Sequence, residues 1–138
     1  QEVLRRGRRS ADGALMVKGM KQDEVREHRI AMEAVVDAYD EIERAMGWYY
    51  YLEGKLAVPF KARCKARRAI SPLKVGQVVD VLGMAPEEEC ESEMFVMISH
   101  ADDSLAVPLA QLESMSKDQD AKEAVGDWHY WLAQGYRF

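Results

Sequence analysis

The chain has 138 residues, 48% of them apolar and 31% charged, which suits one globular domain and argues against disorder over its full length. The longest uncharged apolar stretch is far short of the ~20 residues that span a bilayer. The formal charge is −5, but it is segregated: residues 1–22 hold six bases against two acids, and residues 23–138 hold 13 bases against 22 acids.

Residues 1–22 are expected to be a basic, flexible extension. Gly7, Gly13 and Gly19 interrupt any helix, and the apolar patch Ala14–Val17 is short. The start, Gln1 to Arg6, has no apolar core followed by a small-residue cleavage site, so a cytoplasmic protein is expected. Residues 23–138 form the domain. The spacing predicts an amphipathic helix over about 22–46, with Val35, Ala38, Tyr39, Ile42 and Met46 on its apolar face. Glu33, Asp37, Asp40 and Glu41 fall on the other side. Gly47 reads as a stop or kink, and Trp48–Leu52 as a short aromatic helix closed by Gly54. Leu56–Cys64 is strand-like, and Pro59 demotes it to an edge or a bulge.

Ser71-Pro72 marks a turn, and Gln77–Leu82 carries the strand signal of Val78, Val79 and Val81. The acidic run from Pro86 to Glu93 must be solvated, because its charges cannot be buried unpaired. Met94–Ile98 and Leu105–Pro108 are two further strands, separated by the turn from His100 to Ser104. Leu109–Leu112 is a single helical turn and 114–120 a polar loop. Lys122–Gln134 is a closing helix that Gly135 ends, and its Trp128 and Trp131 are expected to pack near Trp48 to Tyr51. This order predicts an α+β domain: a small SH3-like barrel or curled antiparallel sheet flanked by N-terminal and C-terminal helices.

The chemistry is narrow. No GxSxG, P-loop, HExxH or dinucleotide fingerprint occurs, so no enzyme is expected. Cys64 and Cys90 read as buried free thiols. With His100 they do not have the spacing of a known zinc ligand set. His129, between two aromatics, reads as a hydrogen-bonded structural histidine. The basic stretch Lys61–Lys74 lacks aromatic interleaving, which makes nucleic-acid binding a poor fit. It reads instead as a charged face, opposite the acidic run.

Carboxylates are the richest resource, and hard cations such as Ca²⁺ take six to eight oxygen ligands. Three places could supply them. Asp37, Asp40 and Glu41 are neighbours on a helix at i, i+3, i+4, although a solvated polar face would look the same. Five glutamates crowd residues 87–93, with Glu89 and Glu91 the best pair. Unit charges ~4 Å apart repel by ~4 kcal/mol at an effective dielectric of ~20, so a shared cation would relieve the loop, as would simple hydration. Asp118, Asp120 and Glu123 precede and open the last helix. Counting from Asp118, the fifth, sixth and twelfth positions are Lys122, Glu123 and His129, which rules out an EF-hand loop. Asp120 as N-cap with Glu123 at N3 would explain them as a capping box.

Several strings together resemble a known family. They include Arg26-Glu27-His28-Arg29-Ile30, Met46-Gly47-Trp48-Tyr49-Tyr50-Tyr51, Gly83-Met84-Ala85, Glu89-Cys90-Glu91, Leu105-Ala106-Val107-Pro108-Leu109 and Asp127-Trp128-His129-Tyr130-Trp131. In this order, over about 23–138, they are similar to the small cyanobacterial calcium-binding family typified by CcbP. The resemblance implies a soluble, non-enzymatic Ca²⁺ binder without EF-hands, which buffers or senses cytosolic Ca²⁺ through surface carboxylates. It does not say which acids are ligands. The competing reading is an SH3-like interaction module, which would take a protein partner on an apolar or aromatic surface. Its acidity would then serve solubility alone.

Overall fold

The computed structural model describes residues 23–138. The expected basic extension, 1–22, lies outside the described residues.

Helix α1 (Glu24–Arg29) starts at an Asp23 cap and runs into a π-helical turn, Ile30–Ala34. The chain then breaks at residues 35–40, where Asp37 takes a left-handed conformation at φ 56°. Short polar side chains tolerate that region best. Helix α2 (Glu41–Lys55) follows. The single helix expected over 22–46 is therefore two segments. Of its expected apolar face, Val35 and Met46 are half-buried against the core, whereas Tyr39 and Ile42 are 81% and 75% exposed. The signal that mattered was the cap. Asp40 accepts from the Glu43 amide (2.8 Å), and Glu43 reaches back to the Tyr39 amide (2.7 Å), which begins a new helix.

Five antiparallel strands form one sheet among the described residues: β1 (Phe60–Cys64), β2 (Val78–Met84), β3 (Phe95–His100), β4 (Asp103–Pro108) and β5 (Leu112–Ser114). Their spatial order is β4-β3-β2-β1-β5. The edge strands β4 and β5 do not pair with each other, so the sheet is open and the curled-sheet alternative holds over a closed barrel. Pro59 does not make β1 an edge. The strand starts one residue later, at Phe60, and pairs on both sides. The short β5 had no readable signal, because three residues following a 3₁₀ turn (Leu109–Gln111) show no periodicity. Alternation on β1 buries Phe60, Ala62 and Cys64 and exposes Lys61 and Arg63.

Helix α3 (Gln119–Ala133) begins earlier than expected. Asp118, not Asp120, is its N-cap and accepts from the Ala121 amide (2.9 Å). The expected terminator is correct, since Gly135 sits at φ 87°, where L side chains are strained. Helices α2 and α3 pack through Trp48, Trp128 and Trp131. Trp48 stands edge-on to Trp128 at 5.1 Å and lies 5.4 Å from Trp131. Tyr50, expected to join them, is instead exposed. Cys64 and Cys90 are buried free thiols.

A buried carboxylate ties the three helices together. Asp127 of α3 accepts from Arg26 Nη1 (2.9 Å), Arg29 Nε (2.9 Å) and Nη2 (2.8 Å), and the Tyr51 hydroxyl (2.7 Å). Its hydrogen bond to Asp127 raises the Arg29 pKa, and burial pushes the Tyr51 hydroxyl up.

His129 is the structural histidine expected. Its Nε2 donates to the Leu112 carbonyl (2.6 Å), joining α3 to β5. Burial lowers its pKa to about 4, assisted by Lys65. The unfolded chain, with a His pKa of about 6.5, binds the proton more readily, so the contribution is full above that pH and is lost as pH falls toward about 4. The stability advantage of the protein over His129→Gln should shrink by roughly 2 kcal/mol between about pH 7.5 and pH 5. Urea melts at the two pH values measure it, and a constant difference rules the account out.

Candidate metal centre

The acidic run does more than stay hydrated. Glu87–Cys90 forms a 3₁₀ turn, with Cys90 buried under it and the glutamates facing water. Two tyrosines of α2 hold this turn against the helix. Tyr49 donates to the Ala85 carbonyl (2.7 Å), and Tyr50 donates to Glu87 Oε2 (2.5 Å). The bond to Glu87 raises the Tyr50 pKa, and burial raises that of Tyr49. Arg68 takes Glu93 out of the run with a two-pronged pair (3.2 and 2.6 Å), the expected attraction between the basic stretch and the acidic run.

Between α2 and the turn lies an open cleft of about 1120 Å³. Ile42, Ala45, Met46, Tyr49 and Phe138 give it an apolar floor, and Glu41, Glu87, Glu88 and Glu91 stand around it. Glu41, Glu88 and Glu91 make no hydrogen bond or ion pair with any described residue, and Glu87 is held only by Tyr50. Arg137 also lines the cleft, and Arg44 holds its Phe138 side through the main-chain oxygen of that residue.

The fold thus redistributes the three expected acid groups. Glu41, from the first, and Glu91, from the second, line the same cleft. Asp37 is exposed in the break before α2, and Asp40 spends an oxygen on its cap. Glu89 is exposed on the turn but does not line the cleft. In the third group, Asp118 caps α3, Asp120 is exposed in its first turn, and Glu123 pairs with Arg29 at 3.5 Å. Glu87 and Glu88 belong to the acidic run, but sequence reasoning did not prefer them. Their position depends on Tyr49 and Tyr50, 37 to 39 residues away in the chain, and no local spacing reports that. Among the described residues, no three His, Cys, Asp or Glu side chains stand close enough to form a ready-made metal cage. No helix among them is long and apolar enough to cross a membrane.

Comparison with known proteins identifies the family. The model of the CcbP family, described as calcium binding, matches residues 28–132. The crystal structure of Anabaena CcbP is 44% identical with a TM-score of 0.78, over 88% of this chain and 100% of that one. A structure of a calcium-binding protein in its calcium-binding form is 45% identical with a TM-score of 0.75, over 85% of this chain and 96% of that one. Among curated proteins none matches. By the extent of the family match and the identity to these structures, the chain belongs to the CcbP family of calcium-binding proteins.

Proposed function

We propose that this chain binds Ca²⁺ without an EF-hand, catalyses no reaction, and buffers or senses the ion through the carboxylates around the α2 cleft. The observation that carries the assignment is the unpaired state of Glu41, Glu88 and Glu91 on one cleft, with Glu87 beside them. Carboxylates already committed to caps or ion pairs, such as Asp40, Asp118 and Glu123, have less to offer a cation. Asp37, Glu89 and Asp120 are exposed and remain outer candidates for weaker association.

The absence of a ready-made cage among the described residues bears on affinity and selectivity. Glutamates on flexible stems must draw in around the ion, and water fills the remaining positions. Ca²⁺ accepts such irregular geometry, whereas Mg²⁺ demands a tight octahedron and dehydrates reluctantly. The rim therefore favours Ca²⁺.

Calorimetric titration tests this. The triple variant Glu87→Gln, Glu88→Gln, Glu91→Gln should lose about tenfold or more in Ca²⁺ affinity, that is about 1.4 kcal/mol or more. The pair Asp120→Asn, Glu123→Gln should change little. The reverse pattern moves the site to α3, and no heat of binding in the unaltered protein removes the calcium reading itself. A fluorescent apolar dye then separates the two modes of action. A calcium-dependent signal marks a sensor, and its absence marks a buffer.

A further inference from the structure

The basic stretch Lys61–Lys74 keeps four cations in reserve once its ion pairs are assigned. Lys61 pairs with Asp80 (2.7 Å) and Arg68 with Glu93 (2.6 Å). Arg63, Lys65, Arg67 and Lys74 are exposed and form no salt bridge with a carboxylate among the described residues. Glu113 lies opposite Arg63 across β1 and β5 but does not close on it. All four stand on β1 or in the connection 65–77 that joins β1 to β2. They belong to a domain, residues 23–138, in which acids outnumber bases by 22 to 13.

The backbone of this connection is fixed, and its corners are aliphatic. The Gly76 amide donates to the Cys64 carbonyl and the Cys64 amide to the Gln77 carbonyl (2.8 Å each), which closes its ends. Leu73, fully buried, ties its middle to the core. A tight turn stands on either side of Leu73. The Ser71 amide donates to the Arg68 carbonyl (3.1 Å), which puts Ile70 at the third turn position. The Gln77 amide donates to the Lys74 carbonyl (3.0 Å), which puts Val75 at the second, with Gly76 at φ 91° as the third position of a type II turn requires. Such corners usually carry Gly, Pro, Asn, Asp or Ser. Here Ile70 and Val75 are 62% and 64% exposed, and Val78, opposite Arg63 on the exposed face of the sheet, is 43% exposed. Ile70 and Val75 are at most ~18 Å apart along the chain. Folding gains little from β-branched apolar side chains left in water at these places.

We propose that the β1–β2 connection docks this protein on an anionic lipid bilayer, with Ile70 and Val75 entering the headgroup layer and Arg63, Lys65, Arg67 and Lys74 meeting lipid phosphates. The docking is independent of the calcium reading above. Lasting attachment at a membrane surface takes two signals, and basic charge with apolar insertion is such a pair. A nucleic acid fits this face less well, because residues 61–77 contain no aromatic on which a base could stack. A protein partner would need a socket shaped to two separate corners, whereas a headgroup layer needs none. The acids elsewhere on residues 23–138 repel an anionic surface, which turns this face toward it. The contact weakens as salt rises, as charge contacts at a surface do.

The test is sedimentation of the full chain with vesicles, in buffer containing a chelator so that no Ca²⁺ bridges protein and lipid. The protein should sediment with vesicles of mixed phosphatidylglycerol and phosphatidylcholine and stay in solution with phosphatidylcholine alone. The pair Arg67→Gln, Lys74→Gln should lower the partition about 25-fold, at about fivefold per base. The pair Ile70→Ser, Val75→Ser should lower it about tenfold or more. All four side chains are exposed, and unchanged tryptophan emission verifies that each variant is folded. A polarity-sensitive dye on Val75→Cys, selective because Cys64 and Cys90 are buried, should shift to the blue on the mixed vesicles. No sedimentation with the mixed vesicles overturns the docking. So does sedimentation that both pairs leave unchanged, which moves the contact to other bases of the chain. Loss in the charge pair alone, with no dye shift, leaves plain charge attraction and overturns the insertion. If oligouridylate or polyglutamate binds in vesicle-free solution and Ile70→Ser, Val75→Ser weakens that binding equally, the occupant is a nucleic acid or an acidic protein, and the bilayer is overturned.

Discussion

Asp127→Ala is expected to destabilise the protein by about 3–5 kcal/mol, read from urea unfolding near neutral pH. The carboxylate is fully buried and receives four hydrogen bonds from Arg26, Arg29 and Tyr51. Removing it leaves these donors without their acceptor, and the side chains of Arg26 and Arg29 are only 28% and 17% exposed. Water therefore restores little of the lost solvation. The appropriate contrast is Lys61→Ala, which breaks the Lys61–Asp80 pair on the sheet surface. That pair is of similar length, 2.7 Å, but both partners are well exposed. Its loss should cost about 0–1 kcal/mol. Equal effects from the two substitutions would falsify the view that burial, rather than the number of charges, gives the Asp127 clamp its strength.

Gly47→Ala is expected to cost about 3 kcal/mol, against the usual helical trend. Inside an exposed helix, alanine improves on glycine by about 1 kcal/mol. Here a Cβ on Gly47 would stand 2.2 Å from the carbonyl oxygen of Ala34 and 3.3 Å from its carbon. Both are backbone atoms of the π-helical turn and cannot swing aside like a flexible side chain. Helix α2 would have to move off that turn. Gly54→Ala is the internal control, since nothing lies within 4 Å of its added methyl. It should be neutral or stabilising. A gain in stability from Gly47→Ala would sink the close-approach account.

That glycine also shows how far the sequence could be read. Gly47 and Gly54 were expected to end helical segments, yet both lie within α2. A glycine required by close approach looks the same in sequence as one that terminates a helix. The strands were legible where β-branched residues cluster, as in Val78 to Val81. The closing helix was legible through its aromatics and Gly135. The break at residues 35–40 was not, because Val35, Ala38, Tyr39 and Ile42 continue a helical period across it. Periodicity reports which residues would share a face, and it cannot report that Asp40 caps a new helix instead. The candidate site was legible in kind but not in place. Composition pointed to carboxylates and a divalent ion, and the strings pointed to the family. That Glu41 and Glu91 line one cleft depends on two tyrosine hydroxyls that pin the 3₁₀ turn to α2.

The chain has three tryptophans, and all of them sit in the single contact between α2 and α3. With Trp48 and Trp128 fully shielded and Trp131 nearly so, their emission arises from one dry location. Intrinsic fluorescence therefore follows the separation of two helices. Tyr50 is outside that contact, exposed and with its hydroxyl on Glu87, so a change at the acidic turn would leave the tryptophan emission untouched and show in tyrosine absorption instead.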